Sequence, residues 1–175
     1  MFKQTSKRNQ RGSSLMELMV ATVVLMVGVV ALAQLVPVSL ALNSNNRIDS
    51  SSLVLAQRLM NAFNDVPLGT TAVTTTEGFV CNLGDTTTFN TVLGSPVVVS
   101  NNQTIIDFTR PQVAGYSFTW ADPEDPTKTS YDVRWAVVTT GTAGNVMSRR
   151  IILGARRAGG NGPFLPVTLD TMVAR

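Results

Sequence analysis

The residues with most chemistry to offer lie near the start of the chain, in residues 7–20, KRNQRGSSLMELMV. Glu17 is a carboxylate at the threshold of residues 18–42, a stretch of 25 residues with no charged side chain. An isolated carboxylate withdrawn from water carries a desolvation cost of several kcal/mol unless a cation meets it. Either a cation meets Glu17, or it serves only as a first-turn acid of the helix that follows. Elsewhere the inventory is thin. The chain has no histidine, which removes the commonest general base and the commonest metal ligand together. No serine can then have a histidine partner. The glycine-rich AGGNG at 158–162 lies in a tail with no helix to follow, so it is not a phosphate loop. Cys81 is the one cysteine, which excludes an intrachain disulfide. Nothing basic lies near it in sequence to lower its pKa, so it reads as a small buried side chain. No catalytic residue, metal site or cofactor is expected, and the chain reads as non-enzymatic.

Two charged clusters need weighing. Arg149, Arg150, Arg156 and Arg157 form the only basic group after residue 12. As a functional group they suggest contact with DNA phosphates. The plainer reading, which we prefer, is solvated arginines on an edge strand, where charge deters edge-to-edge pairing. Strand alternation also places Arg149 and Arg150 on opposite faces, and likewise Arg156 and Arg157. Asp122, Glu124, Asp125 and Asp132 gather around DPEDP and suggest oxygen ligands for Ca²⁺. Pro123 and Pro126 break any such ligand spacing, so a solvated turn is preferred. Trp120 and Trp135 read as core residues rather than a ligand-stacking pair.

What must position Glu17 is the apolar stretch behind it. As a helix, 25 residues run about 37 Å, against a bilayer hydrocarbon core of about 30 Å. A buried core helix of this length without one charge would be unusual. Lys3, Lys7, Arg8 and Arg11 all precede Gly12 and no acid does, whereas Arg47 and Asp49 follow the stretch. This asymmetry puts the N-terminus in the cytoplasm and the remainder across the membrane. It also explains the net charge of +3. Without residues 1–12, ten basic residues face eleven acids, a net of −1, so the basicity is no evidence of a nucleic-acid-binding domain. A conventional secretory signal is the alternative, with Ala31-Leu32-Ala33 as a small-x-small cleavage site and Gln34 as the new start. Two features count against it. The apolar run continues past that site to Leu42, and a plain signal peptide gains nothing from Glu17.

The residues RGSSLMELMVATVVLMVGVVALAQL resemble the class III signal of type IV pilins and pseudopilins: a short basic leader ending in glycine, a glutamate at the fifth mature position, then a long apolar helix. The resemblance implies cleavage between Gly12 and Ser13 by a membrane-embedded prepilin peptidase, with N-methylation of Ser13. The family usually starts with Phe; Ser13 departs from that. Cleavage would free an α-amino group one helical turn from Glu17. That amine could neutralise Glu17 within the subunit or on a neighbour, so the resemblance gives Glu17 the role of setting assembly register. A first-turn acid also suits the helix dipole. Gly12 supplies the backbone freedom that a protease needs at the cut bond. The implied partners are other pilins and minor pilins, the peptidase, an inner-membrane assembly platform and the lipid bilayer. The implied location is a single pass of the inner membrane with a periplasmic head, and then the pilus or pseudopilus.

Beyond residue 42 the pattern changes. Ile48, Leu55, Leu59, Phe63 and Val66 recur on one helical face, with Ser52 and Ala62 filling the stripe. Pro37 is expected to kink the helix. The run NSNN at 43–46 is a weak helix former, which allows a bend or a melted turn. Pro67 and Gly69 end the helix. SPVVVS and TIIDFT read as short strands, and residues 116–120, 131–139 and 146–157 as an antiparallel sheet. Tyr131, Val133, Trp135 and Val137 share one face, with Asp132 and Arg134 on the other. A last short strand is expected at 167–169. The fold class is thus α+β, a pilin-like lollipop. Its parts are a leader (1–12), a transmembrane and assembly helix (13–42), an amphipathic continuation (43–66) and a β-rich head (67–175). YDVRW followed by RRIILGAR looks like minor pilins of the PilV-like or type II secretion I-like group.

Overall fold

A computed structural model describes residues 14–123, 125, 128–159 and 166–174, without the side chains of residues 44, 45 and 47–49. The chain divides into two compact units, Met1–Asn45 and Asn46–Arg175. The class is α+β: a long N-terminal helix, α1 (Leu15–Asn64), followed by antiparallel strands.

In the first unit α1 is apolar on every side, and its described residues are all exposed. The helical assignment runs through Pro37. It also runs through the NSNN stretch, where a melted turn was allowed. Backbone hydrogen bonding there outweighs the weak propensity of four polar residues, each worth less than about 1 kcal/mol.

In the second unit the last turns of α1 become amphipathic. Ser52, Leu55, Ala56, Leu59, Met60 and Phe63 are buried, whereas Leu53, Val54, Gln57 and Arg58 face solvent. The helix ends at Asn64, two residues before the predicted boundary, and Pro67 follows. Its buried stripe packs on a five-stranded antiparallel sheet made of β3 (Val92–Gly94), β6 (Ser117–Ala121), β7 (Ser130–Thr142), β8 (Asn145–Arg157) and β9 (Val167–Ala174). The order is β3-β7-β8-β9. β6 shares the β3 side of β7: it pairs with residues 130–134, and β3 pairs with 136–138. β7 and β8 form the central hairpin, with a register shift at Thr140/Gly141 before the Ala143-Gly144 turn. Two short hairpins complete the unit: β1 (Ala72–Thr74) with β2 (Val80–Asn82), and β4 (Val97–Ser100) with β5 (Gln103–Ile106).

The main core lies between helix and sheet. Phe63, Cys81, Val133, Trp135, Val137, Ile151, Leu153 and Ala155 are fully buried there. A smaller core of Ile106, Ala136 and Ile152, with Val97 and Phe108 against it, lies on the opposite face under β4–β5. Gly94 is needed where β3 ends. Its φ is +101°, and an added Cβ would come 2.9 Å from the Trp135 carbonyl oxygen. The expected alternation in β7 holds for Tyr131, Val133, Trp135 and Val137. The last strand runs to Ala174 rather than stopping at Leu169, because β8 offers a full-length ladder for it.

Candidate functional site

The candidate site is the N-terminal portion of α1. Glu17 lies in the first turn of the helix, which opens with Leu18 N–H donating to the Ser14 carbonyl at 3.1 Å. Gly12 and Ser13 lie outside the described residues. Leu15–Asn43 is a 29-residue stretch long and apolar enough to cross a membrane, and its apolar window has no residue buried in the chain itself. Leu15 is 77% exposed, Met26 71% and Leu40 65%. At about 25 cal/mol per Å², so much bare apolar surface cannot remain in water. It needs lipid or other helices around it. Thr22 Oγ1 donates to the Met19 carbonyl at 2.8 Å, so this hydroxyl is satisfied inside the helix as a lipid or helix-bundle environment requires. α1 passes through Ala31-Leu32-Ala33 without a break.

The other candidate residues are placed differently from the simplest expectations. The arginines do not lie on an edge strand, and Arg149 is not solvated. β8 lies between β7 and β9, and Arg149 is fully buried. Its Nη1 donates to the Thr70 carbonyl at 3.1 Å. Its Nη2 donates to the carbonyls of Phe63 at 3.0 Å and Val66 at 3.2 Å. The guanidinium thus caps the end of α1, whose last carbonyls have no partners within the helix. Burial lowers its pKa from the ordinary arginine value. Arg150 makes a bidentate pair with Asp170, and Arg156 reaches Asp132 at 3.5 Å. Arg149, Arg150 and Arg156 are thus each engaged by partners within the chain. A sequence signal for Arg149 existed: it has the same strand parity as Ile151, Leu153 and Ala155.

Asp132 does not belong to a solvated turn. It is buried, and Arg134 grips it through Nε at 3.0 and 3.2 Å and Nη2 at 2.8 Å. Gln112 Nε2 adds a bond at 2.9 Å. The Phe108 ring lies against both guanidiniums, with Arg134 Cζ at 5.0 Å and Arg156 Cζ at 4.6 Å from its centroid. Asp122 and Asp125 remain with the turn, where Lys128 N–H donates to the Asp125 carbonyl at 2.9 Å. Glu124 lies outside the described residues. Among the described residues no three His, Cys, Asp or Glu side chains gather as a metal site. Cys81 is buried, and burial pushes its thiol up to about 12, with the Glu77 charge adding to the effect. Trp135 is a core residue whose Nε1 donates to the Asn82 carbonyl at 2.8 Å, and Trp120 is half-buried beside Tyr131.

The decisive comparison concerns the N-terminal segment. Residues 7–33 match the family model of the prokaryotic N-terminal methylation motif. The match covers the end of the basic leader, Gly12, Glu17 and the first part of the apolar helix, well under half of the chain. It supports a type IV pilin-like prepilin and, with the apolar helix, membrane anchoring. No curated protein and no solved structure matches the chain.

Proposed function

We infer that this chain is a structural subunit of a type IV pilus or a related pseudopilus. The observation that carries this reading is the methylation motif at residues 7–33, whose described part enters a helix with its apolar side chains bare from Leu15 to Leu42. A prepilin peptidase removes residues 1–12 at the Gly12–Ser13 bond and methylates Ser13. Residues 13–42 anchor the subunit once across the inner membrane and later pack among the helices of neighbouring pilins. Glu17 sets the register of that packing against a freed terminal amine. Residues 43–66 continue the helix, and residues 67–175 supply the periplasmic head. A minor subunit of the PilV-like kind, working at initiation, tip or modification, suits the small head and the absence of Tyr and Phe from residues 13–42.

The test is the mass of the mature N-terminus, measured on protein recovered from a host with a working pilus or pseudopilus system. Ser13, with or without a methyl group, is expected. A start at Gln34 would support a conventional signal peptide and a secreted β-rich binding domain instead. An intact Met1 in assembled filaments would remove the amine that Glu17 needs.

A further inference from the structure

β9 is the longest strand edge left open in the sheet. It pairs with β8 along all eight residues, from Ala155↔Val167 to Ser148↔Ala174. Among the described residues no strand pairs with its other side. Proteins ordinarily blunt such edges by brevity, proline, lysine or bulges. The other margin strands of this unit are short: β1, β2 and β3 have three residues each, β4 has four and β6 five. β9 contains no proline, lysine or arginine. Its one charge, Asp170, is held by Arg150 of the adjacent strand at 2.6 Å. Met172 stands 64% exposed on the same face.

The opposite margin of the same sheet offers a complement. Among the described residues β6 pairs with β7 alone. Its Phe118 and Trp120 pack toward the main core, so Ser117, Thr119 and Ala121 lie on the outer face, where Asp132 and Arg134 also lie. Arg134 Nη1 donates to the Arg110 carbonyl at 2.5 Å, which holds Arg110 beside that face. The Arg110 guanidinium is 69% exposed, and its ion pair with Asp107 is loose at 3.7 Å. Asp170 is on the outer face too, since its β8 partner Ile152 belongs to the small core under β4–β5. One margin thus presents the Arg150–Asp170 pair with its carboxylate partly exposed, and the other a loosely held cation, on the same side of the sheet.

We propose that β9 of one copy adds to the open side of β6 in a second copy of this chain, with Asp170 facing the Arg110 of that copy. Backbone hydrogen bonds supply the attraction, as in strand addition generally, and the outer-face charges select the partner. The contact is heterologous, so further copies can add instead of the pair closing on itself. In that respect it rests on the filament function proposed above. A two-fold β9–β9 contact would stop at a dimer, and in the register centred on Asp170 it would set two Asp170 side chains opposite each other.

The test is disulfide trapping of the full chain in membranes of a host with a working pilus or pseudopilus system. Two differently tagged variants, Thr119→Cys and Met172→Cys, are co-expressed and oxidised. Cα atoms directly opposite on paired strands are about 4.5–5.5 Å apart, within disulfide reach. Thr168→Cys and Ala174→Cys, on the same face as Met172, sample neighbouring registers. The native Cys81 is buried and does not compete. The expected result is a mixed dimer at several times the yield of either variant alone. Arg110→Glu should lower that yield about threefold, the scale of an exposed charge pair. An unchanged yield would overturn the proposed charge match. A dominant Met172→Cys homodimer would overturn the proposal in favour of two-fold pairing. The N-terminal mass, read on the same membranes, separates the two levels. A Ser13 start without mixed dimer overturns the strand addition alone, and a Met1 or Gln34 start overturns the filament function with it.

Discussion

At the scale of single residues, the side chains that organise the second unit are charged ones that sequence patterning assigns to the surface. Arg149 was legible only by parity. Its position in the alternation of β8 marks the core face, but the usual cost of burying a charge argues the other way. Three backbone carbonyls resolve the conflict, since hydrogen bonds to a charged group are worth about 1.5–3 kcal/mol each. Arg149→Met keeps much of the volume and leaves those carbonyls without their donor. It should destabilise the folded second unit by about 3 kcal/mol in urea unfolding, the scale of leaving buried carbonyls without their donor. Arg149→Lys should not restore it, because a point charge on a flexible stem lacks the guanidinium fork that bridges the helix end and Thr70. Asp85 shows the opposite case, a partly exposed acid with a local task. Its carboxylate accepts first from the Thr88 N–H, then from the Thr87 N–H at 2.8 Å, and these bonds hold its pKa down at about 2. The folded value lies below the unfolded one, near 3.9. The stabilisation is therefore full above about pH 4 and lost as pH falls through 2. An NMR titration should place the Asp85 midpoint near 2, and protection of the Thr88 amide should fall over the same range. A midpoint near 4 would contradict the turn geometry.

At the scale of elements, legibility followed the strength of the period. The β7–β8 hairpin was readable because alternation persists through YDVRWAV and RRIIL with a glycine turn between them. The buried stripe of α1 was readable from the spacing of Leu55, Leu59 and Phe63. Val92–Gly94 and the β1–β2 pair were not, because three-residue strands carry no usable period and form only where a longer strand or a turn offers them a ladder. The full length of β9 was missed for a related reason. DTMVA reads weakly by itself, and β8 supplies the template that extends it to Ala174. The helix stripe carries much of the energy. Phe63 is fully buried, with its ring 5.3 Å from that of Trp135. Phe63→Ala should cost about 3–5 kcal/mol, the range for emptying an aromatic site in a packed core. Val54→Ala, one helical face away and 57% exposed, should stay within about 0.5 kcal/mol. Urea melts followed by tryptophan fluorescence would show both, and equal effects would mean that the stripe is not the packing face.

At the scale of the whole molecule, one chain joins a helix that cannot remain bare in water to a unit with its own core. The methylation motif at residues 7–33 could be read from sequence, since charge placement and spacing survive without any three-dimensional information. A partner for Glu17 could not, because in the proposed filament it would belong to a processed chain or to a neighbour. A carboxylate among apolar helices is tolerated only where a cation meets it, and the cost of failing to do so is several kcal/mol per subunit. Three substitutions separate the consequences. Glu17→Ala removes the charge and leaves the apolar length unchanged, so insertion and cleavage after Gly12 should proceed while incorporation into filaments falls by at least tenfold. Glu17→Gln keeps the shape and loses the ion pair, and it should fail nearly as badly if charge sets the register. Glu17→Asp keeps the charge on a shorter arm and should retain partial incorporation. The measurement is the ratio of subunit in sheared filaments to subunit in membranes. Equal ratios for Glu17→Gln and the natural chain would show that hydrogen-bonding shape, rather than the meeting of opposite charges, aligns the helices.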